Sequence, residues 1–303
     1  MRRILVVAVA LGIGAACMSS PSPPADPSAL HQAACAHAIR AGTDGQVASS
    51  ALLETSGVVA SRANTDVLWA HNDSGDTARV FAMTTAGAHL GIFQLAGTLA
   101  VDWEDIALGP GPDAGTSYLY LGDIGDNAAA RPSVVVYRVA EPTVDAQDPP
   151  GDVNPLTGVT AITLQYPDGA HDAEALLVDP RSGDIVIVTK EASGNAGVYA
   201  RAGGTSGTLT KKTTVSLGAG VLVTGGDVAP DGTGVVLRTY SSVLVYSRPN
   251  GRPLTDAFGS KACTGASATE QQGEAIGVLP DGRGYVTVSE GTNPPVHRFD
   301  IAG

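Results

Sequence analysis

Residues 172–190, DAEALLVDPRSGDIVIVTK, set two carboxylates against an apolar run, then a Pro/Gly turn, then a second apolar run that ends in lysine. The turn Pro180–Gly183 between Leu176–Val178 and Ile185–Val188 reads as a β-hairpin. One hairpin decides little, but the pattern repeats. Aligning on Glu174, the third residue of the stretch, gives Glu54-Thr55-Ser56-Gly57-Val58, Asp102-Trp103-Glu104-Asp105-Ile106, Asp172-Ala173-Glu174-Ala175-Leu176, Thr224-Gly225-Gly226-Asp227-Val228 and Gln272-Gly273-Glu274-Ala275-Ile276. The third column reads Ser56, Glu104, Glu174, Gly226, Glu274, at intervals of 48, 70, 52 and 48 residues.

Each unit continues alike. A second strand follows in VLWAH, YLYLGD, DIVIVTK, GVVLRTY and GYVTVSE, and a third in ARVFAM, SVVVYRV, AGVYARA, SVLVYSR and PVHRFDI. A fourth is legible in GIFQLAG, AITLQYP, KTTVSLG and GSKACTG, while the fifth unit reaches Gly303 without one. A period near 50 with several strands per unit is the mark of a β-propeller. Five blades are expected, with six as the alternative. Gly45-Gln46-Val47-Ala48 stands before Ser56 as GIFQLAG stands before Glu104, so the N-terminal segment is expected to complete the last blade. The long interval is explained by an insertion, Pro142 to Leu156, too short for a blade of its own.

Composition agrees: 43% hydrophobic residues, 38 Gly, 19 Pro and 5% aromatic residues suit an all-β chain rich in turns. Residues 1–17 carry Arg2 and Arg3, a short apolar run and small residues up to Cys17, which reads as a signal peptide and is too short for a membrane span. Gly14, Ala15 and Ala16 before Cys17 resemble a bacterial lipoprotein signal, although Gly14 stands where such signals usually carry Leu. Cys17 is the expected lipidation site, with ordinary signal cleavage as the alternative. The protein is then a lipoprotein anchored at the cell surface, or secreted. Residues 18–34, rich in Ser and Pro at their start, read as a flexible tether, and 35–303 as one propeller domain. Three cysteines are odd, and setting Cys17 aside leaves Cys35 and Cys263 as a disulfide in an oxidising compartment. The formal net charge of −12 excludes a nucleic-acid polymer as partner and is compatible with a cation. A monomer that meets the membrane only through its lipid is expected.

In a propeller the first strand of each blade lines the central channel, so Ser56, Glu104, Glu174 and Glu274 should converge. Carboxylates gathered away from water repel one another, and either some are protonated or a cation sits among them. An oxygen ligand set without His or Cys favours Ca²⁺ over zinc. A second ring lies where second strands end: His71, Asn72 and Asp73; Asp123, Asp126 and Asn127; Lys190 and Glu191; Arg238 and Tyr240; Ser289 and Glu290. HNDSGD and GDIGDN also suit Asx-type turns. No GxSxG, HExxH, P-loop or GxGxxG opening a helix occurs, which argues against serine-hydrolase, zinc-protease and dinucleotide chemistries.

The five-blade pattern with one oxygen ligand per blade resembles the calcium-activated nucleotidase (apyrase) family, and secreted phytase-like propellers share the acid-before-strand habit. The best local match is LETSGVVASRANTDVLWAHNDSGDTARVFAM, residues 53–83. The resemblance implies Ca²⁺ in the channel and hydrolysis of a phosphate ester or anhydride at its mouth. Asp73, Asp123 or Glu290 would activate water, and Lys190 or Arg238 would balance developing charge. Two rivals remain: a non-catalytic propeller that binds a ligand or protein, and a glycosidase with paired carboxylates.

Overall fold

The inner two strands of each repeat are nearly continuous apolar runs because both of their faces are covered. In the computed structural model, which describes residues 28–144 and 153–302, these strands are buried along their whole length in blades 1, 3, 4 and 5 and nearly so in blade 2. The outermost strands are more exposed, and Thr160–Gln165 alternates between buried and exposed residues over its second half. The expected signal peptide, Cys17 and the first part of the expected tether lie outside the described residues.

Among the described residues the chain forms five sheets. Blade 1 is built from Thr55–Ala60, Val67–Asn72, Arg79–Thr84 and His89–Leu95, and blade 2 from Trp103–Pro110, Ser117–Asp123, Val134–Ala140 and Thr160–Gln165. Blade 3 comprises Ala173–Val178, Ile185–Thr189, Asn195–Arg201 and Thr210–Ser216. Blade 4 comprises Val223–Val228, Gly234–Thr239, Val243–Ser247 and Cys263–Thr264, and blade 5 starts with Gly273–Val278, Gly284–Ser289 and Pro295–Ile301. The five first strands touch in chain order and the fifth returns to the first, so the ring is a five-bladed β-propeller rather than a six-bladed one.

Blade 5 is finished from the N-terminus. Gly45–Gln46 pairs antiparallel with Pro295–Val296, and Ile39–Ala41 pairs with Phe299–Ile301. The closing segment is therefore longer than GQVA alone. The tether expected over 18–34 also ends earlier than the sequence suggests. Ala29–Cys35 is a helix with Ser28 as its N-cap, and Leu30, Ala33 and Ala34 are buried among the core of blades 4 and 5. Three small or apolar residues on one helical face gain more by packing than Ser/Pro composition upstream suggests.

Cys35 ends that helix and is bonded to Cys263 in the outer strand of blade 4, with Cα atoms 5.0 Å apart. The bridge spans a sequence separation of 228 residues, for which chain entropy gives a stabilisation on the order of 5 kcal/mol. Among its described residues the insertion forms no blade. Its end, Val153–Leu156, adds a parallel strand to the edge of blade 1 against Ile92–Leu95, covering an otherwise open edge.

Candidate functional site

One irregularity occurs in every inner strand. The pairing register skips a single residue in each: Ser56, Glu104, Glu174, Thr224 and Glu274. A β-bulge leaves its extra residue unpaired and re-aims the side chain. The same register step corrects the fourth column: the residue equivalent to the glutamates is Thr224, not Gly226. Gly226 lies two residues further along and gives its N–H to Asp105. The two hydroxyls tie neighbouring blades together. Ser56 Oγ donates to the carbonyl of Glu104 at 2.6 Å, and Thr224 Oγ1 donates to the carbonyl of Gly273 at 2.9 Å.

Around this ring of bulges stand two more. Two residues before each bulge are Glu54, Asp102, Asp172, Leu222 and Gln272. Just after each second strand come Asp73, Gly125, Lys190, Tyr240 and Glu290. Four of these are matched by N–H bonds from Asp73, Gly125, Lys190 and Glu290 to the carbonyls of Glu54, Asp102, Asp172 and Gln272. Carboxylate oxygens of Asp73, Asp102 and Glu104 all lie within 4.8 Å of one another, and so do those of Glu104, Asp172 and Glu174. Glu104 belongs to both triads. It is 3% exposed, yet among the described residues no N–H or O–H of a non-acidic residue reaches its carboxylate. Burial first, then the charges of Glu174 and Asp73, push its carboxyl far above the usual range. Asp102 is raised by burial and by Asp73 and Asp172.

Gly125 explains how these oxygens fit. A Cβ there would stand 2.1 Å from Glu104 Oε1 and 2.6 Å from Asp102 Oδ2, so any side chain would displace the triad. Across the channel, Glu274 accepts a hydrogen bond from Gln272 Nε2 at 2.9 Å. Its carboxyl is pushed up to about 8, by burial and then by Glu290, and Glu290 is raised by burial and by Asp73 and Glu54. The two therefore titrate as a pair that holds a proton.

Of the residues expected at the mouth, Asp73, Lys190 and Glu290 are there. Lys190 forms an ion pair with Glu174, and its ammonium lies 5.5 Å above the Tyr240 ring. Asp123 is not at the mouth. It is buried at the end of a second strand, accepts the N–H groups of Val101 and Asp102, and pairs with Arg131 at 2.7 Å. Asn72 does the same for Leu53 and Glu54, so these polar side chains are fasteners for the loop that enters the inner strand. Arg238 is also removed from the channel mouth. It is fully buried between blades 4 and 5 and pairs with Glu270 at 2.5 Å. Both residues looked available because sequence shows a polar type at a strand end but not the side to which it points.

Four acids of consequence were not among the site residues expected from sequence. Asp102 and Asp172 share a column two residues before the glutamates, a signal that was present. Asp105 and Asp227 interrupt apolar inner strands, which also marks them. Asp105 Oδ1 accepts the N–H of Ile106, and its Oδ2 accepts those of Leu176 and Gly226, joining blades 2, 3 and 4. Asp227 accepts the N–H groups of Val228 and Val278, joining blades 4 and 5. These two lace the channel interior and leave the mouth to the carboxylate triads. A surface cavity of about 480 Å³ beside Lys212, Pro249, Asp256 and Ser260 holds none of these acids.

No family model and no curated protein matches the chain. Among solved structures it is similar to a luciferin-regenerating enzyme, with a TM-score of 0.47 and 9% identity over 86% of this chain and 96% of that one. A gluconolactonase from Xanthomonas campestris is also similar, with a TM-score of 0.45 and 13% identity over 82% of this chain and 72% of that one.

Proposed function

We propose that this is an exported propeller that binds a divalent cation, Ca²⁺ by its oxygen-only donors, and hydrolyses a phosphate ester or anhydride at the channel mouth. The observation that carries the reading is Glu104: a buried carboxylate, without a donor from any non-acidic residue, at the meeting point of two carboxylate triads. A group so placed stays neutral or meets a cation. Asp73, Asp102, Glu104, Asp172 and Glu174 fit a hard cation that takes carboxylate oxygen. Bound there, the cation would orient and polarise phosphoryl oxygens.

The chain's own groups divide the remaining work. Asp73, the half-buried member of the first triad, accepts the proton of the attacking water. The Glu274–Glu290 pair holds a proton at neutral pH and returns it to the leaving group from its more accessible member, Glu290. Lys190 contributes positive charge beside the triads and draws an anionic substrate towards an otherwise acidic mouth. Leu53, Leu99 and Val101, at 44%, 76% and 58% exposure, precede the inner strands of blades 1 and 2 and offer an apolar rim for the non-reacting part of the substrate. The Cys35–Cys263 bond accords with an oxidising compartment, and with Cys17 as a lipid anchor the mouth would work at the cell surface.

The test is elemental analysis of the purified protein followed by a panel of nitrophenyl phosphates, nucleoside polyphosphates and nitrophenyl glycosides, with and without EDTA. Phosphate release that EDTA abolishes and Ca²⁺ restores is expected. Turnover of glycosides alone, or of nothing, argues for the glycosidase or the binding module.

A further inference from the structure

The two triads that share Glu104 are not equivalent. In the Glu104–Asp172–Glu174 triad, Glu174 is paired with the Lys190 ammonium, and Asp172 Oδ1 accepts the N–H of Asp126 at 2.8 Å. In the Asp73–Asp102–Glu104 triad, the carboxylates of Asp102 and Glu104 receive no hydrogen bond from an N–H or non-acidic O–H among the described residues, and Gly125 keeps the space beside them clear. Lys190 is held firmly where it is. Its backbone N–H bonds the carbonyl of Asp172 at 3.0 Å, its ammonium lies over Tyr240, and its side chain is only 16% exposed.

We infer that the mouth is built for two positive charges and that the protein supplies one of them. The Lys190 ammonium fills the second triad, and a single divalent cation takes the first. This rests on the cation reading above and adds the stoichiometry and its cause. An ammonium is a compact point charge on a flexible stem, able to stand in for an ion without a fixed coordination geometry. With Lys190 absent, Glu104, Asp172 and Glu174 become a second oxygen site beside the first, and Glu104 is common to both.

Calcium titration of the chelator-treated full-length protein by isothermal calorimetry tests this, with native mass spectrometry counting bound ions directly. One Ca²⁺ per wild-type chain is expected, two for Lys190→Met, and one for Lys190→Arg, which restores the charge. Native spectra of the wild type alone keep the test open if Lys190→Met fails to fold. Two ions on the wild type would overturn the inference, because the ammonium would then be displaced rather than resident. A single ion on Lys190→Met, or binding by that variant only, would also overturn it. Absence of binding by all three proteins would instead overturn the cation reading itself.

Discussion

Gly125→Ala is the sharpest probe of the site, because this glycine has no positive φ that would strain alanine and its cost is purely one of space. The added methyl would sit 2.1 Å from Glu104 Oε1, where ordinary contact begins near 3.4 Å, and 2.6 Å from Asp102 Cγ and Oδ2. The overlap exceeds an ångström on one side and falls on two carboxylates held by bulged or capped backbone. Glu104 is 3% exposed and cannot swing into water, so either its carboxylate or the Gly125 loop must move. Forcing a methyl into a filled interior costs roughly 1–3 kcal/mol. At about 2–4 °C per kcal/mol for a domain of this size, the melting temperature should fall by roughly 2–12 °C. The larger effect is on the cation, since both displaced groups belong to the first triad. The Ca²⁺-induced rise in melting temperature, which follows mass action on the folded state alone, should shrink or vanish. Gly259→Ala is the control: it has ordinary φ and nothing within 4 Å of the added methyl, so stability should be unchanged or slightly higher. Scanning fluorimetry with and without Ca²⁺ reads all three proteins. A Gly125→Ala protein with wild-type melting and a wild-type calcium response would refute the packing of Gly125 against this triad.

The titration of the mouth sets a pH dependence. The Glu274 carboxyl, raised from 4.5 to about 8, and that of Glu104, raised by burial, hold protons in the folded state that the unfolded chain has released. Their contribution is complete below the unfolded value and is lost as pH climbs through the folded one. Through Glu274 alone the metal-free protein should lose on the order of 2–4 kcal/mol between pH 5 and pH 8, Glu104 adds to the loss in the same direction, and the calcium-induced shift should grow over the same window. Melting curves that stay flat or rise with pH in EDTA would count against proton sharing at the mouth. Asp105→Ala removes the acceptor of three buried N–H groups on three blades and should cost about 3 kcal/mol or more, read by urea unfolding. A loss below about 1 kcal/mol would show that Asp105 does not join the blades.

The architecture was legible because its cause is local and repeated. A hairpin such as Leu176–Val178 to Ile185–Val188 declares itself by apolar runs and a Pro/Gly turn, and five such hairpins at a period near 50 leave few folds open. The closing role of Gly45–Gln46 and the Cys35–Cys263 pairing followed from counting, since one blade lacked a strand and one cysteine fell in the expected leader. The helix Ala29–Cys35 escaped because its stability comes from the groove it covers on blades 4 and 5, not from its own residues.

At the site, sequence named the residue types and the tertiary structure decided their directions. The column Glu104, Glu174, Glu274 could be read directly, but its fourth member could not. Thr224 and Gly226 lie two residues apart, a spacing that keeps the same face in a regular pleat, so only the pairing register, which skips Thr224, tells them apart. Asp73 and Asp123, or Lys190 and Arg238, look alike at strand ends, yet one of each pair faces the axis and the other is buried in protein. The deciding step lies in the pleat: moving one residue along a strand reverses the side-chain direction, and only the closed ring establishes which side is the channel.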